Sequence, residues 1–211
     1  MYSPRAFVEH DLGALDTLFA HDPFITLVTA GTDGPEVSHL PVLYRREGEG
    51  VLLEGHWARP NPQSGGDAAA LAIVHGPHAY VSPSWYPDKQ AAARVPTWNY
   101  AVAHLRGTLQ RFDDEAALAD LVDRLSAHFE STVGGDWRFE FDDPRQRTQL
   151  RGIVGFRFRP ERIEVKFKLN QNHPSANIAA VATALAGRTE EDARAVAALM
   201  RTYAPGNEGL G

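Results

Sequence analysis

Alternation of apolar and polar residues with a period of two runs through the middle of this chain, and no other feature narrows the possible folds as much. From Glu36 to Tyr44, one side of a strand would carry Ser38, Leu40, Val42 and Tyr44, and the other Val37, His39, Pro41 and Leu43. Ile163, Val165, Phe167 and Leu169 alternate with Glu164, Lys166, Lys168 and Asn170, the pattern of a half-buried strand. Further strand candidates lie at 24–30, 51–57, 71–75, 79–82, 99–112 and 152–158. Between them, Thr32-Asp33-Gly34-Pro35 and Glu47-Gly48-Glu49-Gly50 carry the residues of hairpin turns. Seven or so strands, several joined by short turns, predict an antiparallel barrel.

Helical spacing is confined to the flanks of that pattern. Residues 11–20 form a short candidate. Leu118, Leu121, Val122, Leu125 and Phe129 make a stripe, with Asp113 and Asp114 placed to cap it. Ile178, Val181 and Leu185 make another, ending at Gly187, and a second amphipathic piece spans 190–203. Beyond it, Pro205 to Gly209 reads as a frayed terminus. Residues 63–67 are the most mobile loop expected inside the body.

Composition removes several kinds of chemistry. The 211 residues include no cysteine, so disulfides, thiolate nucleophiles and cysteine-ligated metals are excluded. Basic residues number 21 against 27 acidic ones, a net charge of −6, which argues against a broad surface that tracks nucleic-acid phosphates. Apolar runs are too short to span a bilayer, and the first eleven residues lack an apolar core; a cytoplasmic protein is the expectation. Phosphate-binding loops, dinucleotide fingerprints, zinc-protease motifs and nucleophile elbows are all missing. Five of nine histidines (His39, His56, His75, His78 and His104) fall between residues 39 and 104, so a metal or haem site is one reading. None of their spacings is a ligand signature, and His75-Gly76-Pro77-His78 reads as a turn.

Three stretches hold more aromatics, prolines and hydrogen-bonding side chains than a strand or turn requires: 55–63, 76–87 and 95–100. Such walls suit a planar heteroaromatic ligand, and equally a rigid loop packed over a barrel end. They also carry a resemblance. Met1-Tyr2-Ser3-Pro4 with Phe7, Ser38-His39-Leu40-Pro41, the segment Gly55 to Gln63, Tyr80 to Tyr86, Val95 to Tyr100, Gly152 to Phe156 and Lys168 to Asn172 occur in that order. In this the chain resembles the PaiB family of FMN-binding negative transcriptional regulators, over about residues 1–175. It departs from the family pattern at Asn170, usually Ser, and at His173, commonly Arg.

The resemblance implies a mainly β protein with peripheral helices (α+β), an FMN-binding split β-barrel like that of pyridoxamine-phosphate oxidases. It implies a flavin domain at 1–172 with a C-terminal helical extension at 173–211, and a homodimer with flavin at its interface. For the FMN phosphate it points to Arg59, flanked by Ala58 and Asn61. His39, Leu40 and His56 are the candidates for the flavin ring. Trp98 and Asn99 are expected from the partner subunit, and Lys168 and Gln171 at the end of the last strand. Negative regulation is the expected output, and an FMN-dependent oxidoreductase is the alternative. Direct tight DNA binding is not expected: Glu190-Glu191-Asp192 put acid at the start of the last helix, where a recognition helix meets DNA.

Overall fold

The computed structural model describes residues 1–203. Its elements begin with β1 (Val8–Glu9), α1 (Leu12–His21), β2 (Phe24–Ala30), β3 (Pro35–Pro41), β4 (Leu43–Glu47) and β5 (Gly50–Ala58). Then come β6 (Ala68–Val81), β7 (Thr97–Phe112), α2 (Glu115–Val133), α3 (Pro144–Gln149), β8 (Ile153–Lys168), α4 (Ser175–Ala186) and α5 (Glu191–Thr202). The strands form an eight-stranded sheet in the order β3-β2-β6-β7-β8-β5-β4, with β1 added to β8, so the fold is the expected mainly β split barrel with peripheral helices.

Two compact units share this chain. The barrel unit comprises residues 22–74 and 104–163, and the helical unit 1–21, 75–103 and 164 onwards. The boundaries between these residue sets fall within β6, β7 and β8.

In the barrel unit, strands β3 and β4 end the sheet order, yet they are consecutive in the chain and separated only by Val42. The N–H of Val42 donates to Pro23 O at 3.1 Å, which breaks the strand expected over 36–44 into two. Both sheet ends are thus brought together by the chain, without a ladder between them. Gly55 makes that closure possible: a Cβ there would stand 2.7 Å from Phe156 Cζ and 3.2 Å from Pro41 O. The two expected hairpins are present, pairing β2 with β3 and β4 with β5, and Gly48 takes the left-handed turn conformation at φ 62°. Burial follows the predicted alternation, with Ser38, Leu40 and Val42 inside and Val37, His39 and Pro41 exposed.

Helix α2 buries Leu118, Leu121 and Leu125, and Asp114 caps it by accepting from Ala117 N at 2.9 Å. The helical unit packs α1 (Ala14, Leu15, Leu18), α4 (Ile178, Val181, Leu185) and α5 (Val196, Met200) by their apolar stripes. The terminus expected to fray, 205–209, lies outside the described residues. Among those described, no helix is long and apolar enough to cross a membrane.

Candidate functional site

The end of β5 is where sequence and geometry meet. Antiparallel pairing sets His56 opposite Gly155, Trp57 opposite Val154 and Ala58 opposite Ile153 on β8. The chain then leaves the sheet at Arg59, whose N–H donates to Gly152 O at 2.7 Å. The Arg59 side chain is clamped from the same side: Nε donates to Arg151 O at 2.7 Å and Nη2 to Ile153 O at 3.0 Å. Two of its five N–H groups are thereby spent and three remain. Nη1 lies 3.6 Å from the Asp113 carboxylate, at a cleft of about 270 Å³ walled by Arg59, Asp113, Glu115, Leu118, Leu150 and Arg151. Arg111 also holds Asp113, at 2.8 Å, and Arg147 holds Glu115 at 2.6 Å. The clamp fixes the orientation of a planar, permanently charged donor, which is what recognition of a phosphate requires.

Asn61 secures the turn that follows. Its side-chain oxygen accepts from Gln63 N at 2.9 Å and its Nδ2 donates to Ser38 Oγ at 2.9 Å, tying the loop to β3. Gln63, expected in a mobile loop, is buried instead. Its amide donates to Leu27 O, Thr29 Oγ1 and Glu36 O at 3.1–3.2 Å, pinning the segment to β2 and β3. On β3, His39 is exposed with Nδ1 3.0 Å from Thr26 Oγ1, while the Leu40 side chain enters the core. Only the backbone of Leu40 is therefore open to a ligand. Strand β3 has a ladder partner on one side alone, so its outer N–H and C=O groups carry no strand pairing.

Two buried ring nitrogens on β5, His56 Nδ1 and Trp57 Nε1, have no hydrogen-bond partner. Burial lowers the pKa of His56, disfavouring its charged form. The remaining candidates belong to the helical unit. Trp98 is half-exposed, with its ring 5.8 Å from His78 and 6.1 Å from Tyr80. Asn99 is fully buried; its Nδ2 reaches Met200 Sδ at 3.4 Å and its Oδ1 has no partner. Lys168 Nζ donates to Thr97 Oγ1 and Trp98 O. The amide of Gln171 closes the end of β8, accepting from Leu169 N and donating to Phe167 O.

Residues 75–78 continue β6 rather than turning, and no group of three or more ligating side chains occurs among the described residues.

Residues 1–162 match the family model described as "Putative FMN-binding domain". The chain belongs to that family. A curated relative, "Protease synthase and sporulation protein PAI 2" of Bacillus subtilis, is 30% identical over 95% of this chain and 96% of its own length. Solved structures share the fold at lower identity. The flavocytochrome Anf3 of Azotobacter vinelandii aligns at a TM-score of 0.53 and 14% identity, over 79% of this chain and 72% of its own. The FAD and heme binding protein of Mycobacterium smegmatis aligns at 0.51 and 17%, over 82% and 79%.

FMN is the cofactor of this family's domain and of this chain. The barrel unit suits it: a clamped arginine with three N–H groups outside its carbonyl bonds answers a phosphate dianion, and an unladdered strand edge answers the polar rim of a flavin ring. Sequence reasoning missed the carbonyls of Arg151 and Ile153 and the carboxylate of Asp113. The only hint of the first two was the motif from Gly152 to Phe156, and Asp113 was noted only as a helix-cap candidate, a place Asp114 takes.

Proposed function

We propose that this protein is an FMN-binding homodimer whose output is negative transcriptional regulation, exerted without tight DNA binding by this chain. The observation that carries the flavin part is the carbonyl-clamped guanidinium of Arg59 at the end of β5. In this reading Arg59, with the backbone of Ala58 and the turn held by Asn61, takes the phosphate, and His39, Leu40 and His56 serve the ring. When bound, FMN supplies one- and two-electron redox chemistry; the chain's own residues bind and orient it. The flavin domain comprises residues 1–172 with 173–211 as an extension, in a cytoplasmic setting.

Likeness to PAI 2 across nearly the whole of both chains supports the regulatory reading. The exposed apolar side chains Phe24 and Val37 in the barrel unit, and Tyr80 and Trp98 in the helical unit, support a dimer. The charges around α5 support the absence of tight DNA contact. Glu191 and Asp192 occupy its first turn, Arg188 is paired with Glu190 at 2.6 Å, and Arg194 donates to Thr189 O.

The test is a visible spectrum of the untagged protein after loading with FMN and desalting, joined to sedimentation and gel-shift measurements at physiological salt. One flavin per chain, a dimer and no specific nanomolar DNA binding are expected. A protein that rejects FMN, a monomer, or a nanomolar gel shift each overturns the corresponding part. Turnover with a nicotinamide donor would move the assignment to an FMN-dependent oxidoreductase.

A further inference from the structure

The helical unit contains a second cavity, of about 400 Å³, whose walls include Tyr86, Arg94, Lys168, Asn170, Asn172 and His173. Two non-glycine residues have positive φ among the described residues, Ala93 at 45° and Asn170 at 65°, and both line it. Backbone held in that region persists where the surroundings over-determine it, which is common at ligand clamps. Here the constraint is visible: Asn170 Nδ2 donates to the Tyr86 hydroxyl at 2.9 Å, and His173 stacks on the Tyr86 ring at 5.0 Å and 11°.

Residues with unspent donors line this space. His173 Nδ1 is buried with no partner. Lys168 uses two of its three N–H groups on Thr97 Oγ1 and Trp98 O and keeps one. Arg94 commits Nε and Nη2 to Asp88, at 3.0 and 2.5 Å, and keeps Nη1. Asp88 offsets Arg94 and is further held by Asn177 Nδ2 at 2.8 Å, so Lys168 is the one wall cation without a carboxylate partner. Burial opposes charge on both Lys168 and His173; an anion placed among them would relieve that cost for Lys168. Phe7 and Val95 add apolar wall.

We propose that this cavity binds a small organic monocarboxylate, its carboxylate met by Lys168, Arg94 and, in the Nδ1–H tautomer, His173, and its carbon skeleton by the Tyr86 side of the pocket. One uncompensated cation matches one negative charge, whereas a phosphate dianion would leave a charge unmet. The assignment takes Lys168 out of the flavin-binding set and makes the site separate from that of Arg59.

Calorimetric titration of the FMN-loaded full-length protein with benzoate tests this, with inorganic phosphate titrated in parallel. Benzoate should bind one per chain, Lys168→Met should weaken it roughly tenfold, and Lys168→Arg should restore most of it. His173→Phe, which keeps the stack and deletes Nδ1, should weaken benzoate several-fold and stands as the second variant if Lys168→Met fails to fold. No binding at millimolar benzoate, or equal affinity in the Lys168→Met protein, overturns the proposal. Phosphate binding in preference to benzoate overturns the carboxylate assignment. Competition between added FMN and benzoate in flavin-free protein would merge the cavity with the flavin site and overturn their separation.

Discussion

With Arg59 proposed to take the FMN phosphate, Asp113 competes with that phosphate for one guanidinium, and the competition has a sign that can be measured. Arg59 Nη1 stands 3.6 Å from Asp113 Oδ2, and the two side chains are 44% and 50% exposed. Coulomb attraction at that distance is about 1 kcal/mol in a water-like dielectric and about 5 kcal/mol at an effective dielectric of 20. Half-exposure puts the pair near the lower figure. Asp113→Asn keeps the shape, removes the competing charge and removes repulsion toward an incoming dianion, so it should tighten FMN by roughly fivefold. Arg59→Ala deletes the remaining donors and should weaken FMN by about 2 kcal/mol, roughly thirtyfold. The assay is titration of FMN fluorescence quenching at low and physiological salt, with the Asp113→Asn gain shrinking as salt rises. Weaker FMN binding by Asp113→Asn, or an Arg59→Ala affinity within twofold of the parent, would refute the phosphate role of Arg59.

Three further outcomes follow from buried polar groups. Glu54 is buried between Arg124, at 2.7 Å, and Arg157, at 3.2 Å. Glu54→Gln should cost about 2 kcal/mol by urea unfolding, less than a fully buried pair because both arginines reach solvent; an unchanged midpoint would contradict this. Gln63→Ala strands the acceptors of three hydrogen bonds and should cost about 2 kcal/mol, with faster proteolysis near residues 62–66. His56 has a folded pKa below its ordinary 6.5, so the unfolded chain takes up the proton first. Stability is therefore full above about pH 6.5 and declines as pH falls below it. His56→Gln should flatten that decline, and parallel urea midpoints for the two proteins at pH 7.5 and 5.5 would argue against it.

What the sequence made legible was set by local rules, and what it concealed was set by partners far along the chain. Alternation alone placed Ser38, Leu40 and Val42 inside, and the cap at Asp114 was readable because capping needs only three neighbouring residues. Pro77 misled, because a proline following glycine reads as a turn. In the structure β6 continues through it beyond the register with β2, which runs from Ala70 to Ile73, so the missing N–H costs no bond to that strand. Pro160 likewise lies within β8, where two separate strands were expected. Gln63 looked mobile because Ser and two Gly follow it; what holds it are acceptors 27 to 36 residues away. The site follows the same division. Arg59 was picked out through a motif, but its clamp comes from carbonyls 92 and 94 residues later, which no local pattern encodes. Asn170 and His173, the positions at which the resemblance marked departures, both wall the cavity of the helical unit. A departure that one sequence shows only as an irregularity is, in three dimensions, a change in the donors facing a single space, and titration of that space can distinguish a ligand site from idle variation.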